Sequence, residues 1–269
     1  MKQTAGKLLW AFVLCTFASM SAAALPACDL ERSETSRVVS IVDGDTVVLQ
    51  DGREVRLVGL QAPKLALGRR NFTDWPLAAE AREVLAALVK NEDVHLSYGG
   101  RREDRYGRQL AHLYLADGRW VQGAMIAKGM ARVYSFPDNR SCVAELLGLE
   151  GRARDARRAI WGDPYYAVLQ ADQPTNLLAH IDSFQLVEGI VQGAALVRGR
   201  LYLNFGDDWR EDFTVTIAPK HRRHFSEDLE VYRDARIRVR GWIKSYNGPE
   251  IVVTHPEQIE FLDGPGRAS

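Results

Sequence analysis

The sequence predicts a mainly β chain with some α, organised as two modest domains. Three observations carry this. At 269 residues the chain exceeds one ordinary domain. Apolar stripes at helical spacing occur only in its first part, ending near Tyr165. Beyond Thr175 the pattern becomes nearly all short strands separated by turn residues. With 46% apolar and 26% charged residues, the chain can bury a sizeable core and is neither disordered nor collagen-like. Lys plus Arg and Asp plus Glu both total 35, which excludes a uniformly basic coat but not a small basic cleft.

The first 24 residues read as an export signal. Lys2 and Lys7 form a positive start, Leu8 to Met20 is mostly apolar, and Ser21 to Ala24 offers small residues for cleavage. An uncleaved membrane anchor is the rival, and Leu25-Pro26-Ala27-Cys28 is a weak lipoprotein-type alternative. No later segment is apolar enough to span a bilayer. The expected setting is therefore periplasmic or secreted. Cys15 leaves with the signal, so Cys28 and Cys142 remain, as a disulfide, as two thiols, or with lipid on Cys28.

Along the chain, Val38 to Val42, Thr46 to Gln50 and Glu54 to Val58 read as strands, with turns at Asp43-Gly44-Asp45 and Asp51-Gly52. A two-residue loop at Asp51-Gly52 puts Val47 opposite Arg56 and brings Asp45 and Arg56 onto one face. Leu77, Ala81, Val84, Leu85 and Leu88 predict a helix, followed by strands Val94 to Tyr98 and Gln109 to Leu115. Val121 to Lys128 is a short helix stopped by Gly129. A longer helix carries Leu146, Leu149, Ala153, Ala156 and Ile160, with Arg152, Arg154, Arg157 and Arg158 expected on a solvated face. Residues 166–182 read as a linker. Strands over Val187 to Val197, Arg200 to Phe205, Asp212 to Ala218, Arg236 to Lys244 and Glu250 to Val253 predict a small closed barrel, with Ile259 to Leu262 as a last short strand.

Several motifs in order carry a resemblance: Ile41-Val42-Asp43-Gly44-Asp45-Thr46, Val55-Arg56-Leu57, Pro63, the Glu80-bearing helix and Asp104-Arg105-Tyr106-Gly107-Arg108. Gly129-Met130-Ala131-Arg132-Val133-Tyr134 and Ile160-Trp161 complete the set. Over roughly 130 residues the chain resembles the staphylococcal nuclease (thermonuclease-like) family. The resemblance implies an OB-fold five-stranded barrel with three helices over 34–165, ahead of an OB-like barrel over 183–263. It also implies calcium-dependent phosphodiester cleavage of DNA and RNA in active relatives.

Carried over residue by residue, Asp45 matches the family's first metal-binding aspartate. Arg56 and Arg108 match the arginines that grip the scissile phosphate, and planar guanidinium forks suit two phosphate oxygens. Tyr106, with Tyr134, matches the nucleotide pocket. Ala62 retains a backbone carbonyl as a metal ligand. The family's Asp-[Ala/Thr]-Pro-Glu, however, reads Gln61-Ala62-Pro63-Lys64 here. Gln61 offers one uncharged oxygen in place of a carboxylate. Lys64 stands where a general base or water-orienting glutamate is expected, and losing such a base costs about 10²–10⁴-fold. One carboxylate disfavours Ca²⁺, which prefers several oxygen ligands. The Lys64 ammonium is expected near the vacated metal position, paired with Asp45. A solvent-facing lysine and a desolvated lysine base are the alternatives.

Other groups are weaker candidates. His221 and His224 read as a surface pair without a third ligand, and His112 as a satisfied barrel histidine. In the second barrel, Tyr202, Phe205, Trp209, Phe213 and Trp242, with Arg200, Arg238 and Arg240, fit either a single-strand platform or core packing. Two functional readings result. One is an exported binding protein for DNA, RNA or another phosphate polyanion, with calcium chemistry lost or weakened. The other is an active, metal-dependent exported nuclease. Charge divides as 21 basic to 20 acidic residues over 25–165, and 12 to 15 thereafter, so binding rests on a few placed arginines.

Overall fold

The computed structural model describes residues 28–263, so the expected signal over residues 1–24 lies outside the described residues. The first half runs β1 (Glu31–Asp43), β2 (Thr46–Leu49), β3 (Glu54–Leu57), β4 (Gly59–Gln61), α1 (Ala78–Val89), β5 (Asp93–Tyr98), β6 (Gln109–Leu115), α2 (Val121–Ala127), β7 (Arg132–Tyr134) and α3 (Val143–Asp155). Strands β1-β2-β3-β6-β5 close into a barrel, with β3 and β6 parallel. Val38, Val47, Leu49, Val55, Leu57, Leu96 and Leu113 fill its interior, as strand alternation dictates. Leu85, Met125 and Leu146 pack the three helices onto that core. The paired β4 and β7 form a short ribbon beside the barrel.

The second half runs β8 (Leu169–Gln170), α4 (Pro174–Leu178), β9 (Phe184–Ile190), β10 (Gly193–Val197), β11 (Arg200–Asn204), β12 (Thr214–Ile217), β13 (Arg236–Ser245), β14 (Pro249–Val253) and β15 (Ile259–Phe261). Its sheet order is β10-β11-β12-β14-β13-β9-β8. Strands β9 and β10 are successive pieces of one bent run. Val191 donates its N–H to Ala235 and Gln192 to Asn204, so edge strand β10 continues directly from β9, which lies one strand in from the opposite edge. Phe213, Val215, Ile237, Val239 and Ile251 form the enclosed core.

Four local expectations change. The hairpin at Asp51-Gly52 pairs Thr46 with Arg56 and Val48 with Glu54, one residue off the expected register. Leu49 donates to Arg53 across three loop residues, and Gly52 takes the left-handed conformation that such a loop requires. The last long helix ends at Asp155. Arg157 and Ala159 adopt positive φ, and Ile160 lies in a separate 3₁₀ turn. The expected linker is packed: β8 pairs in parallel with β9, and Ala171 and Leu177 are buried in the second core. Arg154 also leaves the solvated face, reaching Glu150 and Glu260.

Cys28 and Cys142 form a disulfide, one of the alternatives left open. It ties the segment ahead of β1 to the start of α3. Among the described residues no helix is long and apolar enough to cross a membrane.

Candidate functional site

The site begins at the turn between β1 and β2. Gly44 has no room for a side chain, since a Cβ there would lie 2.7 Å from Ala62 and 2.8 Å from Ala81. The glycine therefore lets Asp43 and Asp45 press against the loop after β4. There the Ala62 N–H donates to Asp45 Oδ2 at 2.9 Å. Lys64 follows two residues later, and its Nζ lies 2.7 and 2.6 Å from the two oxygens of Asp45 and 3.1 Å from Asp43 Oδ2. The ammonium lies between the carboxylates, as one of the three expectations for Lys64 held.

Asp45 is fully buried and every lone-pair direction is contested. Arg56 Nη1 forms an ion pair with Oδ1, and Thr46 Oγ1 donates to the same oxygen at 3.2 Å. Burial pushes its carboxyl up, but Arg56 and Lys64 prevail and hold it well below the usual range. Burial and the neighbouring Asp45 charge instead raise Asp43, with Lys64 offsetting part of this. Arg56 and Asp45 thus meet as expected, although the register that was meant to align them is shifted. Asp45 sits in the turn rather than in the ladder, so its side chain is free of strand parity.

This donor set does not fit a hard divalent cation. Calcium takes about six to eight oxygen ligands. Here one ammonium is within reach of three carboxylate oxygens, and Gln61 Oε1 is already taken by Arg132 Nη2 at 3.2 Å. Ala62 contributes its N–H to Asp45. Among the described residues there is no cluster of three or more metal-ligating side chains, and His221 with His224 gains no third partner. His112 is buried and accepts from Trp120 Nε1 at 3.3 Å, as a satisfied barrel histidine.

Arg56 and Lys64 open onto a cleft of about 660 Å³ that also contains Arg108, Tyr106 and Tyr134. Six basic side chains, Arg56, Lys64, Arg69, Arg101, Arg105 and Arg108, line it against four acidic ones, Asp43, Glu54, Asp104 and Asp138. Asp104 orients Arg108 by accepting from its Nε at 2.8 Å and its backbone N–H at 3.0 Å. Tyr106 is 69% exposed at the rim, accepts from Arg105 at 2.6 Å, and has the Arg105 and Arg108 guanidinium groups over its ring at 4.8 and 5.7 Å. Tyr134 is half-buried, edge-on to Phe136 and Phe184, with its hydroxyl accepting from Trp242 Nε1 at 3.0 Å. Glu80 of α1 is exposed and does not line this cleft.

Sequence reasoning assigned no site role to four participants. Asp43 was read as a turn residue and part of a motif, although its spacing of two from Asp45 was the available signal. Arg105 lies within the recognised motif and Arg101 just before it. Arg132 is buried beside Tyr166 and Phe184, and burial lowers it to about 10. No local pattern distinguishes it from a surface arginine.

The second barrel supports this site from behind. Glu150 of α3 accepts from the Val133 N–H at 2.7 Å, and Arg240 of β13 donates to the Val133 carbonyl at 3.1 Å and to Glu150 at 2.7 Å. Val133 pairs with Leu60, so this network holds the ribbon that ends in Gln61. Arg240 is 1% exposed and Arg238 pairs with Glu188 and Glu260, which removes both from the single-strand platform and leaves the other reading, core packing, for this part of the barrel. Phe205 and Phe213 are core residues, and Trp242 reaches the first barrel.

A family model described as staphylococcal nuclease homologue matches residues 54–163. An uncharacterized endonuclease of Escherichia coli O157:H7 is 32% identical over 130 residues, covering 47% of this chain and 76% of that protein. The protein ParB of Escherichia coli is 36% identical over 141 residues, covering 48% and 72%. A thermonuclease of Staphylococcus hyicus is 28% identical over 136 residues, covering 49% and 78%. With the closed five-stranded barrel, its three helices and the ordered Asp45, Arg56 and Arg108, this establishes that the chain belongs to the staphylococcal nuclease family.

Proposed function

We propose that the protein is an exported binder of DNA, RNA or another phosphate polyanion, built on a nuclease scaffold whose calcium-dependent phosphodiesterase chemistry is lost or weakened. The observation that carries this reading is the Lys64 ammonium between Asp43 and Asp45. It neutralises the carboxylates with a covalently attached charge, where relatives of this family would recruit a cation. The cleft then keeps its arginines for phosphate. Arg108 presents a fork aimed by Asp104, Arg105 adds charge at the rim, and the exposed Tyr106 ring, already stacked with arginine, suits a base beside it. Export accords with the Cys28–Cys142 bond, because disulfides persist in oxidising compartments.

Hydrolysis is the second reading, favoured by both arginines and Tyr106 sharing one cleft. It requires a base for the attacking water. Lys64 donates to three carboxylate oxygens, so as an ammonium it has no lone pair for a proton.

A timed assay on single-stranded DNA and RNA, with calcium and with chelator, separates the readings when paired with fluorescence anisotropy at low salt. The expected result is binding without rapid cleavage, weakened by Arg108→Ala and by added salt. Rapid calcium-dependent cleavage abolished by Arg56→Ala would overturn the proposal. Absence of oligonucleotide binding at low salt would remove both readings.

A further inference from the structure

The second barrel has its own cleft, of about 460 Å³, on the outer face of β10, β11, β12 and β14. It holds the same topological position as the arginine-lined cleft. In the first barrel, Thr46, Arg56 and Leu110 form one register row across β2, β3 and β6. On the outer face of β11, β12 and β14 the two register rows are Asn204, Thr214 and Glu250, and Tyr202, Thr216 and Val252. The central strand thus carries hydroxyls in both rows where the first barrel has a guanidinium.

Among the described residues no basic side chain lines this second cleft. Glu250 is only 9% exposed, and its Oε1 accepts from Thr216 Oγ1 at 2.6 Å. Among the described residues no cation pairs with it, so its second oxygen still has acceptor capacity. At the rim, Trp209 and Tyr246 are 49% and 68% exposed, and Tyr202 adds a half-buried ring. Asn204 and Asn247 each bring an amide that both donates and accepts.

These groups sort the ligand classes. A phosphate polyanion would meet the Glu250 carboxylate, and the lysine directly across from it, Lys244, is already paired with Asp182. A quaternary ammonium would leave the amides and hydroxyls unpaired. Arg210 takes one face of the Trp209 ring at 4.4 Å, so the opposite face is the one open to a ligand. A neutral pyranose satisfies every group. Its C–H face is apolar and matches an exposed ring, while its hydroxyls both donate to Glu250 and exchange hydrogen bonds with the amides.

We propose that the second barrel binds a neutral glycan, with sugar rings on Trp209 and Tyr246 and hydroxyls directed to Glu250, Asn204 and Asn247. The site is independent of the phosphate cleft and lies outside the residues matched by the nuclease family. The test is calorimetric titration of the full mature chain with chitohexaose and cellohexaose, beside oligothymidylate and tetramethylammonium. Saturable binding of at least one hexasaccharide is expected. Trp209→Ala and Tyr246→Ala should each weaken it by about tenfold or more, with unfolding temperature retained. Arg56→Ala should leave it unchanged. The proposal fails if neither hexasaccharide binds at millimolar concentration, or if binding survives both aromatic substitutions. It also fails if Trp209→Ala abolishes binding of oligothymidylate or tetramethylammonium instead.

Discussion

The two barrels thread their strands along the same path, with an early strand parallel to a late one: β3 beside β6 in the first, β12 beside β14 in the second. On equivalent faces they hold opposite chemistry. The first concentrates guanidinium groups around buried carboxylates and leaves Tyr106 at its rim. The second exposes aromatic rings around a carboxylate without a cation. Interior residues repeat because any such barrel must be filled with apolar side chains at alternate positions. The outward row is free to vary, and there the ligand class is set. Fold alone therefore assigns neither cleft a ligand, and the charge of one strand row separates them.

This contrast can be broken first at Lys64. The double substitution Gln61→Asp and Lys64→Glu places two further carboxylates beside Asp43 and Asp45. It is expected to destabilise the chain in chelator, to make unfolding temperature rise with calcium, and to raise calcium-dependent cleavage by about 10²–10⁴-fold. A folded variant indifferent to calcium in both assays would show that more than these two positions separates this site from its relatives.

The next effect concerns what joins the barrels. Arg240→Met leaves Glu150 and Glu260 without their shared guanidinium and is expected to cost about 3–5 kcal/mol in chemical denaturation. Burial opposes the Arg240 charge, but the two glutamates prevail and raise its pKa, so the arginine stays charged across the accessible range. Because Arg240 and Glu150 both contact Val133, phosphate binding should weaken together with stability. Loss of stability with untouched oligonucleotide affinity would sever the second barrel from the first site.

Acid acts on both barrels. His112 in the first is depressed to about 4 by burial alone, and burial likewise lowers His255 in the second to about 4. An unfolded histidine titrates near 6.5, so between these values the unfolded chain binds more protons. The stability these two histidines contribute is present above pH 6.5 and is expected to be lost as pH drops toward 4, by about 3 kcal/mol for His112. His112→Gln should flatten that slope in a urea series, and an unchanged slope would assign the acid sensitivity elsewhere. The smallest effect belongs to the rim: Trp209→Ala should alter stability by no more than about 0.5 kcal/mol, since its ring is half exposed.

Much of this molecule is legible from residue pattern. Strand alternation located the barrel interiors, Gly52 marked a hairpin, and the order of Asp45, Arg56, Tyr106 and Arg108 assembled one cleft. The misses share a cause. The hairpin register slipped because an Asp-Gly pair serves two-residue and three-residue loops alike. Residues 166–182 looked like a linker because a two-residue strand and a five-residue helix are too short for periodicity. Arg238 and Arg240 looked like a binding surface because an arginine on a strand carries no sign of what lies across from it.

Sequence by itself determined part of the composition of the arginine-lined cleft: Asp45, Arg56, Tyr106 and Arg108, and that a lysine replaces the expected glutamate. Side-chain chemistry is local, so those facts need no coordinates. Only tertiary structure decided that Lys64 turns inward onto Asp43 and Asp45, that Gln61 is held by Arg132, and that Arg240 is an internal ion-pair partner. Each depends on groups distant in sequence meeting in a desolvated space. There the strength of a charge is set by its neighbours and by how little water remains between them.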